Sequence, residues 1–84
     1  MNILIDIRDK HEYRMGHIPN SINIEKDLLE IAPEKFLERN KIYILYCDSG
    51  PNSKKLSNEL NKLGYHTKSL NGGYSKWIKE NPTL

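Results

Sequence analysis

The sequence predicts an α/β domain: a small, mainly parallel sheet flanked by helices on both faces. Three observations carry this. Short continuous apolar runs, Ile3–Leu4–Ile5 and Ile42 to Tyr46, suit strands buried on both faces. Those runs alternate with stretches of helical spacing, as in a parallel sheet with crossover helices. The second run stops abruptly at Cys47, the loop DSGPNS follows, and Leu56, Leu60 and Leu63 then recur at helical spacing. Residues 1–84 are read as one domain, whose modest core must use most of the apolar residues.

Taken in order, Ile3 to Ile5 form the first strand, ended by Asp6, Ile7 and Arg8. Asp9 is a good N-cap with Glu12 three residues later, as in a capping box, so a helix of one or two turns follows. Tyr13 anchors it and Gly16 stops it. His17-Ile18-Pro19-Asn20 is a turn, because proline pushes Ile18 to extended geometry. Ser21 to Ile24 alternates polar and apolar, which suits a short strand. Glu25 to Ile31 reads as a short helix with Leu28, Leu29 and Ile31 as its buried side. Pro33 interrupts it and opens a second short helix through Phe36 and Leu37. After the central strand, the loop and the leucine helix, Gly64 is a C′ glycine. Tyr65 to Leu70 is a weakly patterned strand nearer a sheet edge. Asn71-Gly72-Gly73 is a flexible turn. Tyr74, Trp77 and Ile78 mark a last helix, closed by Asn81-Pro82.

Composition excludes several functions. A net charge of +2 with no basic run beyond Lys54-Lys55 argues against nucleic acid or a membrane as partner. The opening MNILIDIRD shows no apolar leader and no long apolar span, so a cytoplasmic location and a monomer are the expectation. One cysteine rules out an internal disulfide, and His11, His17 and His66 lie too far apart in sequence to pair as ligands, so no metal is expected.

The chemistry centres on Cys47. A lone cysteine is most often a small buried hydrophobe. Here it ends a strand, where ligands bind in open α/β sheets. Gly50 lets backbone N–H groups converge on one point, and Pro51 can open the following helix without needing its missing N–H. Asp48, Ser49, Gly50, Pro51, Asn52 and Ser53 thus read as an anion cradle. It would favour Cys47 as thiolate and stabilise a negative atom attached to it. Gly50 and Pro51 are equally the residues of an ordinary turn.

Three motifs, spread over nearly the whole chain, resemble the single-domain rhodanese family of sulfurtransferases. LIDIRDKHEYRMGHIPNSINI is similar to the family's D-x-R-x-x-x-E-[YF]-x-x-G-H-I-P-G-A-x-N-[IL], matching at Asp6, Arg8, Glu12, Tyr13, Gly16, His17, Ile18, Pro19 and Asn23. CDSGPNS is similar to the active loop C-x-x-G-x-R-S, with Cys47, Gly50 and Ser53 matching. LNGGYSKWIKENP is similar to L-x-G-G-[FY]-x-x-W, with Leu70, Gly72, Gly73, Tyr74 and Trp77 matching. The resemblance implies a rhodanese-like fold and catalysis by Cys47 without metal or organic cofactor. The cysteine takes a sulfane sulfur from a donor, thiosulfate or a persulfide, holds it as a persulfide, and yields it to a thiol or cyanide acceptor. A protein can serve as either donor or acceptor. A second reading is a sulfur carrier or interaction module with little turnover of its own.

The sequence departs from the pattern at Asn52, where many members carry Arg, and at Asn20 and Ser21, which replace Gly-Ala. Asp48 adds a negative charge beside the nucleophile. The Cys-x5-Arg phosphatases are related but need a guanidinium six residues after the cysteine, and Ser53 stands there. His17 is expected to be a hydrogen-bonded structural residue and not a base for Cys47. Asp6, Arg8 and Glu12 are expected to form ion pairs and caps, Tyr74 and Trp77 to anchor the core, and His11 and His66 to lie on the surface.

Overall fold

The two apolar runs become the two central strands of a four-stranded sheet. The structure, a computed structural model, describes residues 2–82. In chain order the elements are β1 (Asn2–Asp6), α1 (Lys10–Met15), β2 (Ile22–Asn23), α2 (Lys26–Ile31), a 3-10 turn (Pro33–Lys35), β3 (Ile42–Tyr46), α3 (Pro51–Lys62), β4 (His66–Ser69) and α4 (Gly73–Glu80). All pairings are parallel, in the order β2-β1-β3-β4. The chain winds outward one way from β1 and the other way from β3. The two meet at a topological switch point, and Cys47 stands at the carboxyl end of β3 beside it.

Strand alternation sorts the side chains. Ile5 and Ile7, with Tyr43, Leu45 and Cys47, face α2, the 3-10 turn and α3, and pack with Leu29, Leu37, Leu56, Leu60 and Tyr65 into one cluster. Tyr46 points to the other face, where it is fully buried and its ring stacks with that of Tyr74 from α4. Cover fades back along that face: Ile44 is half-buried and Ile42 exposed.

The caps follow sequence chemistry. Asp9 accepts from the Glu12 N–H at 2.8 Å and caps α1. Tyr65 N–H reaches Leu60 C=O and Gly64 N–H reaches Asn61 C=O, a Schellman motif with Gly64 at φ 95°. Asn20 adopts φ 71°, a left-handed conformation that asparagine tolerates better than most residues, so the loss of glycine there is accommodated. Ser21 has a job of its own. Its hydroxyl donates to Ile18 C=O at 2.7 Å, so the Tyr46 hydroxyl, 2.9 Å away, donates to Ser21 Oγ and accepts from Ile18 N–H. Burial, only partly opposed by the Ser21 and Ile18 bonds, pushes the Tyr46 phenol up to about 12, which keeps it a donor.

Several expectations are corrected. In α2 only Leu29 is buried; Leu28 is 53% and Ile31 80% exposed, because a helix of six residues presents one narrow stripe to the sheet. Leu63 is exposed, since the chain has already turned at the helix end, and the buried side of α3 is Ser53, Leu56, Ser57 and Leu60. Phe36 is exposed while Leu37 is buried. Gly16 is extended (φ 163°) and is not a left-handed cap; a Cβ there would lie 2.6 Å from the Tyr74 hydroxyl. Trp77 is only half-buried and Ile78 exposed, so α4 does not anchor the core.

Candidate functional site

Cys47 is 6% exposed, and its sulfur is met by the start of α3. Gly50 N–H points at Sγ at 3.2 Å, and the Ser53 hydroxyl oxygen lies 3.5 Å from it. Gly50 has φ 115°, which turns its amide inward and is open to glycine at little cost. Burial pushes the thiol up, but hydrogen bonds from the Ser53 hydroxyl and from the Ser53, Gly50 and Ser49 amides outweigh it, and the net shift is downward.

The predicted loop residues divide. Ser49, Gly50 and Ser53 serve the sulfur, the first through its backbone. Pro51 and Asn52 are exposed, and Pro51 opens α3 as expected. The Asp48 side chain turns outward and lies 3.6 Å from an Arg8 nitrogen, so its charge is partly offset. Lys54 and Lys55 are both exposed.

Residues of the first motif form the far wall. Asp6 is fully buried and holds Arg8 by a bidentate pair, Nη2 to Oδ2 at 2.8 Å and Nε to Oδ1 at 3.0 Å, while the Arg8 N–H donates to Oδ1 at 2.9 Å. Nη2 also donates to Gly16 C=O at 2.7 Å. The guanidinium lies 4.2 Å from the Tyr74 ring centroid, and Trp77 stacks beyond Tyr74. Tyr74 therefore carries Arg8 as well as packing on Tyr46, with Trp77 stacked behind it, and neither Tyr74 nor Trp77 joins the main apolar cluster. Partial burial works against the Arg8 charge, but the hydrogen bond and field of Asp6 outweigh it and leave Arg8 more firmly protonated. Glu12 is pushed up, first by desolvation and then by repulsion from Asp48. His17 stacks on Tyr13 at 3.7 Å and its Nδ1 bonds Tyr13 C=O at 2.7 Å, a structural role.

The sequence assigns no role at the site to Gly73 or Ser69. Gly73, expected in a flexible turn, is instead closely packed. A Cβ there would sit 2.8 Å from the backbone of Asp48 and closer still to Cys47 C=O, so α4 can approach the loop only through glycine. From that position Tyr74 N–H and Ser75 N–H bond the carbonyls of Cys47 and Asp48, both at 2.9 Å. This holds the loop carbonyls away from the sulfur and leaves its amides to converge there. Ser69, from β4, lies 2.6 Å from Ser53 Oγ. A lone serine in a weak strand gave no signal.

A buried cysteine at a sheet switch point, met by loop amides at a helix start, defines an α/β domain whose one thiol is shifted toward the ionised form at the carboxyl end of the sheet. Comparison with known proteins gives the family. The rhodanese-like domain family matches residues 1–80, and the chain belongs to it. It is 33% identical to the Bacillus subtilis protein named "Putative sulfurtransferase YtwF", over 92% of this chain and 74% of that one. It is 28% identical to "Adenylyltransferase and sulfurtransferase UBA4" of Candida albicans, over 90% of this chain, and spans only 19% of that protein. The crystal structure of a rhodanese-related protein from Thermoplasma volcanium superposes with a TM-score of 0.86 at 35% identity, covering 95% of this chain and 79% of that one. Among the described residues no helix is long and apolar enough to cross a membrane.

Proposed function

We propose that the protein is a sulfurtransferase that carries sulfane sulfur as a Cys47 persulfide. The observation that supports this most is the convergence of Gly50 N–H and the Ser53 hydroxyl on a buried sulfur whose thiol is lowered. The thiolate attacks the outer sulfur of a donor. A bond forms between Sγ and that sulfur as the donor's S–S bond breaks, and sulfite or a thiolate leaves with the electron pair. A thiol or cyanide then attacks the outer sulfur, forming its own bond to it while the Sγ–S bond breaks and returns the Cys47 thiolate. The reaction balances without an oxidant or cofactor. The chain has no second thiol to resolve the persulfide, so an outside acceptor, small molecule or protein, must take the sulfur. The protein is expected to act as a monomer in the cytoplasm, where a reducing medium keeps Cys47 free.

Alkylation rate against pH tests the thiolate directly. The midpoint should fall below the free-cysteine value of about 8.5, so more of the reactive form is present at neutral pH than for a free cysteine, and it is lost as pH drops through the lowered value. A midpoint at or above about 8.5 would remove the activated thiol.

The donor is expected to carry little negative charge. Asp48 is adjacent to the nucleophile, and Asn52 supplies no cation where a dianion such as thiosulfate would bind. Arg8 offsets Asp48 in part but is shared with Asp6. Two charges a few ångströms apart near a surface interact by up to about 4 kcal/mol before screening, and about 1.4 kcal/mol is a decade of affinity. Asn52→Arg should therefore raise kcat/KM for thiosulfate by about tenfold at low salt, chiefly through KM. Asp48→Asn should raise it severalfold, with both gains shrinking as salt rises. Unchanged kinetics in both would mean that backbone amides alone set donor preference. Turnover of thiosulfate and cyanide by the wild-type chain favours an enzyme. Sulfur loading only in the presence of a desulfurase partner favours the carrier.

A further inference from the structure

Three hydroxyl and thiol groups from three elements line up beside the loop. The register of β3 with β4 sets Ser69 opposite Leu45, on the face that α3 covers, and Cys47 lies two residues further along that face. Ser53 Oγ is 2.6 Å from Ser69 Oγ, donates to Gly50 C=O at 3.0 Å and accepts from the neutral Cys47 thiol at 3.5 Å, a bond that must reverse when the sulfur ionises. Each hydroxyl has one hydrogen to give. Were Ser53 to give its hydrogen to Ser69, neither the Gly50 carbonyl nor the sulfur would receive one from it. If Ser69 donates instead, the Ser53 hydrogen is left for those two. The Gly50 carbonyl already accepts from Lys54 N–H at 3.0 Å. An anionic sulfur is thus the acceptor with most to gain, because bonds to ionised groups are about twice as strong as neutral ones.

We propose that Ser69 is a positioning residue of this site: its hydroxyl donates to Ser53 and so directs the Ser53 hydrogen at the Cys47 sulfur. The inference rests on the reading of Cys47 as the working thiolate. Ser69 touches neither the sulfur nor a substrate; it acts through Ser53. The arrangement gives Ser53 and Ser69 a shared role in an interface between α3 and β4 that is lined by small hydroxyl residues. Further along that interface Ser57 and Thr67, 2.6 Å apart, also pair hydroxyls, but Thr67 is tied to Asn61 as well and reaches no thiol.

The test is the pH dependence of Cys47 alkylation in the full chain, with thermal melting recorded for each variant. A bond to an ionised group is worth about 1.5–3 kcal/mol, or about one to two pH units of midpoint, and a second bond in the chain adds a fraction of that. Ser53→Ala should raise the midpoint by about one unit and Ser69→Ala by about half a unit. Below both midpoints the Ser69→Ala protein should then react about threefold more slowly. Ser69→Thr keeps the hydroxyl and should titrate like wild type. In a Ser53→Ala background, Ser69→Ala should have no further effect, since the chain is already cut. The charged groups at this end of the sheet, Arg8 beyond β1, Glu12 on α1 and Asp48 in the loop, are unchanged in every variant. A wild-type midpoint below about 8.5 with an unshifted Ser69→Ala would overturn the role of Ser69 alone. So would a shift that persists without Ser53, or one that Ser69→Thr shares. A wild-type midpoint at or above about 8.5 would overturn the thiolate reading itself, and with it this inference.

Discussion

Cys47→Ser is expected to fold normally and take up no sulfur. After exposure to a sulfur donor, the wild-type mass should rise by one sulfur atom and fall back when a thiol is added. The variant's mass should stay unchanged, and turnover should drop by on the order of 10³-fold or more, as when a covalent nucleophile is removed. The chain has no other cysteine to substitute for it. A serine hydroxyl fills nearly the same volume and can still accept from Gly50 N–H, so stability should change by less than about 1 kcal/mol. Loss of activity would then report chemistry and not unfolding. A Cys47→Ser protein that still gained sulfur would place the reaction elsewhere.

The largest stability effect is expected at Arg8. Arg8→Met removes the only cation that neutralises Asp6 among the described residues, leaving a fully buried carboxylate with the backbone N–H of residue 8. Breaking a buried pair from one side costs about 3–5 kcal/mol. Small domains have only about 5–15 kcal/mol in total, so the urea midpoint should fall steeply and the variant should be partly unfolded at 37 °C. Arg8→Lys should recover little. An ammonium cannot repeat the two-pronged pair with Asp6, reach Gly16 C=O and lie over Tyr74 at once. The double variant Asp6→Asn/Arg8→Met should be more stable than Arg8→Met, because the uncompensated charge is gone. An Arg8→Met urea midpoint equal to wild type would show that Asp6 is satisfied by other means.

The family relationship was legible because its motifs are local and chemically distinctive. Cys47, Gly50 and Pro51 announce a strand end, a turned-in amide and a helix start within five residues. Asp9 with Glu12, and Gly64 after Leu63, declare their caps in the same local way. Burial was harder to foresee. Leu28, Ile31 and Leu63 satisfy a helical pattern and are exposed, because helices this short expose apolar residues at their ends and sides, as folded proteins commonly do. The acidic charge of Asp48 was plain, but its offset by Arg8 joins residues forty positions apart.

By itself, the sequence determined the strand–loop–helix unit, the single thiol at its turn and the glycine that lets amides face that thiol. Each depends on backbone preferences of residues a few positions apart, which adjacent letters disclose. Only the tertiary structure decided which side chains support the sulfur from outside the loop. Ser69 reaches Ser53 because β4 pairs with β3 in one register, and α4 reaches the Cys47 carbonyl because Gly73 has no Cβ to hold it off. Register and close approach are set by packing between elements distant in sequence. A serine or a glycine in such a place looks locally like any other.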